Sequence, residues 1–282
     1  MYFLNIITMQ SDFIIMFLSA GAVSGLLSGL LGVGGGIVIV PVTLLTMSII
    51  EIDTSIKMLI ALGTSMATII PTSIRSVYYH NKANNVDWSL FRAFAPGLFF
   101  GALTGGIVAT NYVKAEILSI IFAIVAMIIA VDILITGRKY KATLQNQENY
   151  SWLYQNKVAK LSAPIGFLSA LMGIGGGTLA VPVLNKINYP IHKAIGTSTT
   201  FGLIIAVPAT FCYIYGGQDI SGRPGGSIGY VNFYGWIALS IASTLTVPLG
   251  AKINTIVTPY WLRILFALFL STTAFYIFFD II

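Results

Sequence analysis

Long apolar runs along the whole chain, a scarcity of charge and two matching glycine-rich segments predict an all-α polytopic membrane protein built from two internal repeats. Hydrophobic residues make up 56% of the 282 and charged residues only 9%, against about 25% charged in an average soluble domain. The mean hydropathy is +0.88, and no soluble fold hides that much apolar surface, so lipid is the expected solvent. The formal charge of +6 comes from basic residues scattered between apolar runs. That pattern argues against a nucleic-acid-binding face and marks the cations as topology signals.

In chain order the apolar runs fall at 12–31, 37–49, 58–79, 90–110, 115–136, 161–184, 194–215, 230–251 and 260–281. Most reach the roughly 20 residues that a helical crossing requires. Met1 to Gln10 carries no Lys or Arg, so the first run is not expected to be cleaved as a secretory signal. Cys212 is the only cysteine and reads as a small apolar filler. The polar stretch 137–160 is expected to be a cytoplasmic linker between a first repeat, 1–136, and a second, 161–282.

The repeats are visible directly. Leu27 to Val42 (LSGLLGVGGGIVIVPV) aligns without a gap on Leu168 to Val183 (LSALMGIGGGTLAVPV) at an offset of 141. Gly63-Thr64-Ser65 then matches Gly196-Thr197-Ser198 at an offset of 133. Duplication of this kind is a common construction of secondary transporters, with substrate held where the repeats meet.

Two topologies are open. Around the second glycine run the apolar arms have 15 and 10 residues, Val158 to Met172 and Thr178 to Ile187, each short for a crossing at 1.5 Å per residue. If both glycine segments cross, there are eight spans, the repeats are parallel and the 15 cations divide nine to six. If both are re-entrant, each repeat is a glycine-broken helix hairpin plus three transmembrane helices, and the repeats are inverted. The division then becomes twelve to three, with only Lys57, Lys114 and Arg223 facing outward. The positive-inside rule favours the inverted arrangement.

Gly32-Val33-Gly34-Gly35-Gly36 and Gly173-Ile174-Gly175-Gly176-Gly177 are not dinucleotide fingerprints, because Ile37 and Thr178 occupy the third glycine position. Close helix packing by small residues is one reading. The other is an anion site, in which each run breaks a helix and the arm beginning at Ile37 or Thr178 aims unpaired backbone N–H groups at the break. Two such ends supply about one unit of positive charge without burying a Lys or Arg. Pro41 and Pro182 either kink these arms or start the helices later. The candidate anion contacts are Gly34, Gly35, Gly36, Gly175, Gly176 and Gly177, assisted by the hydroxyls of Thr64, Ser65, Thr197 and Ser198. Arg75, Asp132 and His192 are candidates for proton coupling or gating, with snorkelling to the headgroups as the competing account. No HExxH, GxSxG elbow or acidic metal cluster suggests an enzyme, and no cofactor or metal is implied. A passive anion channel is the alternative to a transporter.

LLGVGGGIVIVP at Leu30 to Pro41, MGIGGGTLAVP at Met172 to Pro182 and AIGTSTT at Ala194 to Thr200 resemble the sulfite exporter TauE/SafE family, also called thiosulfate/sulfite/organosulfonate permeases. The resemblance implies a multi-pass inner-membrane secondary transporter, often an exporter, for small sulfur-containing anions such as sulfite or organosulfonates. Proton-coupled alternating access is expected, and a homo-oligomeric state stays open.

Overall fold

A computed structural model describes residues 2–31, 35–136, 160–187, 189–256 and 260–281. Gly34 and the linker residues 137–159 therefore lie outside the described residues. The elements are α1 (Tyr2–Leu31), α2 (Gly36–Ile49), α3 (Thr54–Lys82), α4 (Trp88–Asn111), α5 (Ala115–Thr136), α6 (Ser162–Leu171), α7 (Gly177–Lys186), α8 (Ile191–Gly216), a small antiparallel ribbon of β1 (Ser227–Ile228) and β2 (Val231–Asn232), α9 (Phe233–Ile256) and α10 (Tyr260–Ile281). The run 161–184 thus contains two helices, α6 and α7, of 10 residues each. Among the described residues, six helices are long and apolar enough to cross a membrane.

Local chemistry sets the helix ends. Asp53 caps α3 by accepting from Ser55 N–H, and Asp87 caps α4 by accepting from Ser89 and Leu90, which satisfies first-turn donors that have no intrahelical partner. Asn232 does the same for α9, accepting from Gly235 N–H at 2.8 Å. At the end of α3, Asn84 has φ 57° and Asn85 N–H reaches back to the His80 carbonyl at 2.9 Å, a left-handed cap that asparagine tolerates. Pro71 lies inside α3 and cannot bond to the Ala67 carbonyl one turn earlier. Trp236 Nε1 donates to that carbonyl instead, at 3.0 Å, pinning α3 to α9.

Ordered contacts give the helix directions. Phe17 lies against Gly235, and Ala22 accepts from Thr246, so α1 and α9 run the same way. Ser162 lies against Gly97 and Phe167 against Gly105, so α6 runs with α4. Phe94 stacks on Phe201 at 5.0 Å between centroids, and Cys212 Sγ reaches the Leu103 carbonyl at 3.6 Å, so α8 also runs with α4. Thr64, Ala67 and Thr72 meet Asn232, Trp236 and Ser243 in turn, so α3 runs with α9. Between α3 and α8 the order reverses: Gly63 lies by Tyr213 and Ser73 by Gly202. These two corresponding helices cross in opposite directions.

The bundle is apolar outside, and buried hydroxyls run through its apolar core. Phe100, Ile128, Phe211 and Leu245 are each more than 60% exposed, as lipid-facing side chains should be. Thr64, Ser65, Thr68, Thr72, Ser73 and Ser76 on α3, and Thr197, Ser198, Thr199 and Thr200 on α8, are buried. Hydroxyls join helices where lipid offers no partner, as in the Thr72–Ser243 bond of 2.7 Å.

Candidate functional site

The second glycine run is described in full. Gly173 has φ +63°, while Ile174 N–H donates to the Ser169 carbonyl and Gly173 N–H to that of Ala170. This is a Schellman ending for α6, with glycine at the left-handed position. Three residues later α7 begins after Gly176, and α2 begins after Gly35, whose φ is +74°. The cap positions, Gly35 and Gly176, are glycines and bring no capping side chain of their own. Pro41 and Pro182 stand inside α2 and α7, so the helices start before the prolines and not at them.

The two breaks touch. A Cβ on Gly36 would stand 2.5 Å from the Gly173 carbonyl oxygen, 2.8 Å from Ile69 Cδ1 and 2.9 Å from Ser65 Oγ. Ser65 Oγ donates to the Gly173 carbonyl at 2.6 Å and lies 3.4 Å from that of Gly36. Ser24 Oγ, unnoticed in the sequence, reaches the Gly35 carbonyl at 3.2 Å. On α8, Phe201 and Ile205 lie against Gly176. Gly35, Gly36, Gly175, Gly176 and Gly177 are all buried. Ser65 and these five glycines are therefore brought together at the middle of α3 and α8. Both helix starts present first-turn N–H groups there, which precede the earliest intrahelical bonds.

The Gly-Thr pairs have a shared geometry of their own. Asn232 N–H donates to Thr64 Oγ1 at 2.9 Å, and Asp87 N–H donates to Thr197 Oγ1 at 2.8 Å. The preceding residues, Gly63 and Gly196, admit the carbonyls of Tyr230 and Asn85 at close range. Each pair thus holds the segment that leads into a helix of the other half. Ser198 Oγ bonds back to the Ile195 carbonyl at 2.8 Å. At the Asp87 junction, burial alone would raise the carboxyl pKa. The Tyr189 hydroxyl, the Leu90 and Ser89 N–H groups and the nearby Lys193 outweigh it and hold the carboxyl below the usual carboxylate range.

His80 and Tyr213 form a further matched pair. They lie 133 residues apart, as Gly63 and Gly196 do. His80 Nε2 meets the Gly29 carbonyl at 2.9 Å, and Tyr213 donates to the Ala170 carbonyl at 3.0 Å. Each serves a carbonyl in the last turn before a break, where the regular helical ladder runs out. The proton-coupling candidates stand elsewhere. Arg75 is exposed with its guanidinium 5.1 Å from the Tyr79 ring centroid, and His192 is exposed at the start of α8. Asp132 is half-buried on α5.

Several spanning helices, a lipid-facing apolar surface and an interior that holds buried hydroxyls and two glycine breaks define a multi-pass membrane protein. The family described as sulfite exporter TauE/SafE matches residues 17–277, and the chain belongs to that family of membrane transporters. A "Probable membrane transporter protein" of Haemophilus influenzae is 32% identical over 93% of this chain and 97% of its own length. A protein of the same description from Methanocaldococcus jannaschii is 26% identical over 92% of this chain and 94% of its own length. "Probable membrane transporter protein YunE" of Bacillus subtilis is 27% identical over 83% and 86%. No solved structure matches the chain. These likenesses fit a multi-pass protein of the plasma membrane.

Proposed function

We propose that the protein is a secondary transporter, acting as an exporter, of small sulfur-containing anions such as sulfite or an organosulfonate. The anion is held where the two glycine breaks meet. The observation that carries this reading is that the buried start of α2 at Gly36 meets the second break at Gly173, three residues before the N-cap Gly176 of α7. Helix starts attract anions through oriented N–H groups and the helix dipole. The contacts are Gly34, Gly35, Gly36, Gly175, Gly176 and Gly177 with Ser65 and Ser198, whose hydroxyl protons turn from the Gly173 and Ile195 carbonyls to the anion when it binds. Thr64 and Thr197 flank them, and each accepts a backbone N–H while its own hydroxyl proton serves the anion. The family description supplies the sulfur chemistry.

The repeats, 1–136 and 161–282, are inverted in this reading, and each broken pair, α1–α2 and α6–α7, turns back on itself. The opposite running of α3 and α8 supports it, as does the return of α2 alongside α3 from Gly36 against Ile69 to Ser48 against Lys57. Rocking of one repeat against the other around a fixed site then gives alternating access, and a proton gradient drives it. Reconstituted full-length protein is expected to concentrate sulfite or a small organosulfonate when a pH gradient is imposed. Flux that only dissipates the anion's own gradient would favour the passive channel, and the absence of any oxyanion flux would refute the substrate class.

A further inference from the structure

Buried hydroxyls in this bundle commonly bond to a carbonyl one turn back. Thr68 donates to Thr64, Thr72 to Thr68, Thr199 to Gly196 and Thr200 to Thr197. This is the usual resting place for a hydroxyl in a membrane helix. Seven buried hydroxyls among the described residues depart from it, and of these Ser28 and Ser169 alone stand at equivalent places in the two repeats. Both are fully buried, at 0% exposure, and neither Oγ has a hydrogen-bond partner among the described residues. They are 141 residues apart, the interval of the glycine runs, so each stands four residues before the first glycine, Gly32 or Gly173.

Their directions follow from helix geometry. Ser24 and Ser28 are four residues apart on α1 and share one face. Ser24 Oγ reaches the Gly35 carbonyl at 3.2 Å, so that face looks onto the start of α2. In α6, Phe167 and Ala170 pack against Gly105 of α4, which turns Ser169 away from α4. The chain beyond Gly173 folds back over Ser169, whose carbonyl accepts from Ile174 N–H at 3.1 Å. A fully buried hydroxyl that leaves the carbonyl of its own helix unused, twice and at equivalent positions, points to a partner that folding alone does not supply.

We propose that Ser28 and Ser169 donate hydrogen bonds to the transported anion, one from the end of the helix before each break; this rests on the anion-site reading above. The helix starts supply N–H donors and the serines supply neutral O–H donors from the two sides of the site. Such a set suits an anion bearing three or more oxygens on one central atom, the head shared by sulfite, thiosulfate and sulfonates. A halide offers no separate acceptors for it to engage.

The test uses purified full-length protein with Ser28→Ala, Ser169→Ala and the double substitution. Sulfite is the probe, with uptake in proteoliposomes and thermal midpoint with and without anion as readouts. Each single variant should raise the sulfite KM by about tenfold or more, as expected for a lost hydrogen bond to a charged group. The unliganded midpoint should hold, because no protein partner is removed, and the double variant should lose the sulfite-induced rise in midpoint. Wild-type KM in both single variants would overturn the proposal while leaving the anion reading intact. A fall in the unliganded midpoint at unchanged KM would make the serines structural and overturn it equally. No oxyanion uptake and no midpoint shift in the wild-type protein would refute both.

Discussion

Leucine at position 36 is expected to cut anion uptake sharply. The new side chain would point at the Gly173 carbonyl, which stands 2.5 Å from the Cβ position, so one break must move off the other. Overpacking of this kind costs about 1–3 kcal/mol, and the displaced backbone is the surface on which the anion is read. At equal membrane abundance, uptake should fall about 10- to 100-fold. Gly225→Leu is the matched control, because nothing lies within 4 Å of a Cβ there, and its uptake should equal that of the wild-type protein. Normal uptake by Gly36→Leu would reduce the glycines to packing residues.

An all-or-none result is expected from cysteine labelling of the loops that follow α3 and α8. Asn84 and Asp219 are both exposed and follow corresponding helices that run in opposite directions. In a Cys212→Ser background, Asp219→Cys should react with an impermeant thiol reagent in intact cells and Asn84→Cys should not. Parallel repeats with eight spans would give the two positions the same accessibility. Inverted repeats fit the charge pattern too. Lys82, Arg92 and Lys193 lie near the ends of α3, α4 and α8 that gather at one face, and Lys57 lies near the opposite end of α3.

What could be read from the sequence was local. The helices follow from runs of apolar residues, and the breaks from three consecutive glycines, because length and backbone freedom are properties of short segments. The start of α3 at Thr54 was missed because polar Thr54, Ser55 and Lys57 hide a turn that Asp53 caps. The β1–β2 ribbon was missed because its two-residue strands carry no periodicity. Partners far apart in the chain were illegible. Ser65 was singled out, but its acceptor lies 108 residues away; the donors to Thr64 and Thr197 lie 168 and 110 residues away. The same role is filled by histidine in one half and tyrosine in the other, so the His80–Tyr213 pair leaves no matching letters in the repeats. Only the carbonyls they reach reveal it.

Where the anion sits decides between the glycine breaks and any other site. A crystal structure of the full-length protein soaked with selenite, the selenium analogue of sulfite, locates it by anomalous scattering. A peak is expected between the starts of α2 and α7, with selenite oxygens about 2.7–3.2 Å from backbone nitrogens in the first turns after Gly35 and Gly176. A peak confined to the exposed basic face near Lys82 and Lys193, with none between the breaks, would contradict it.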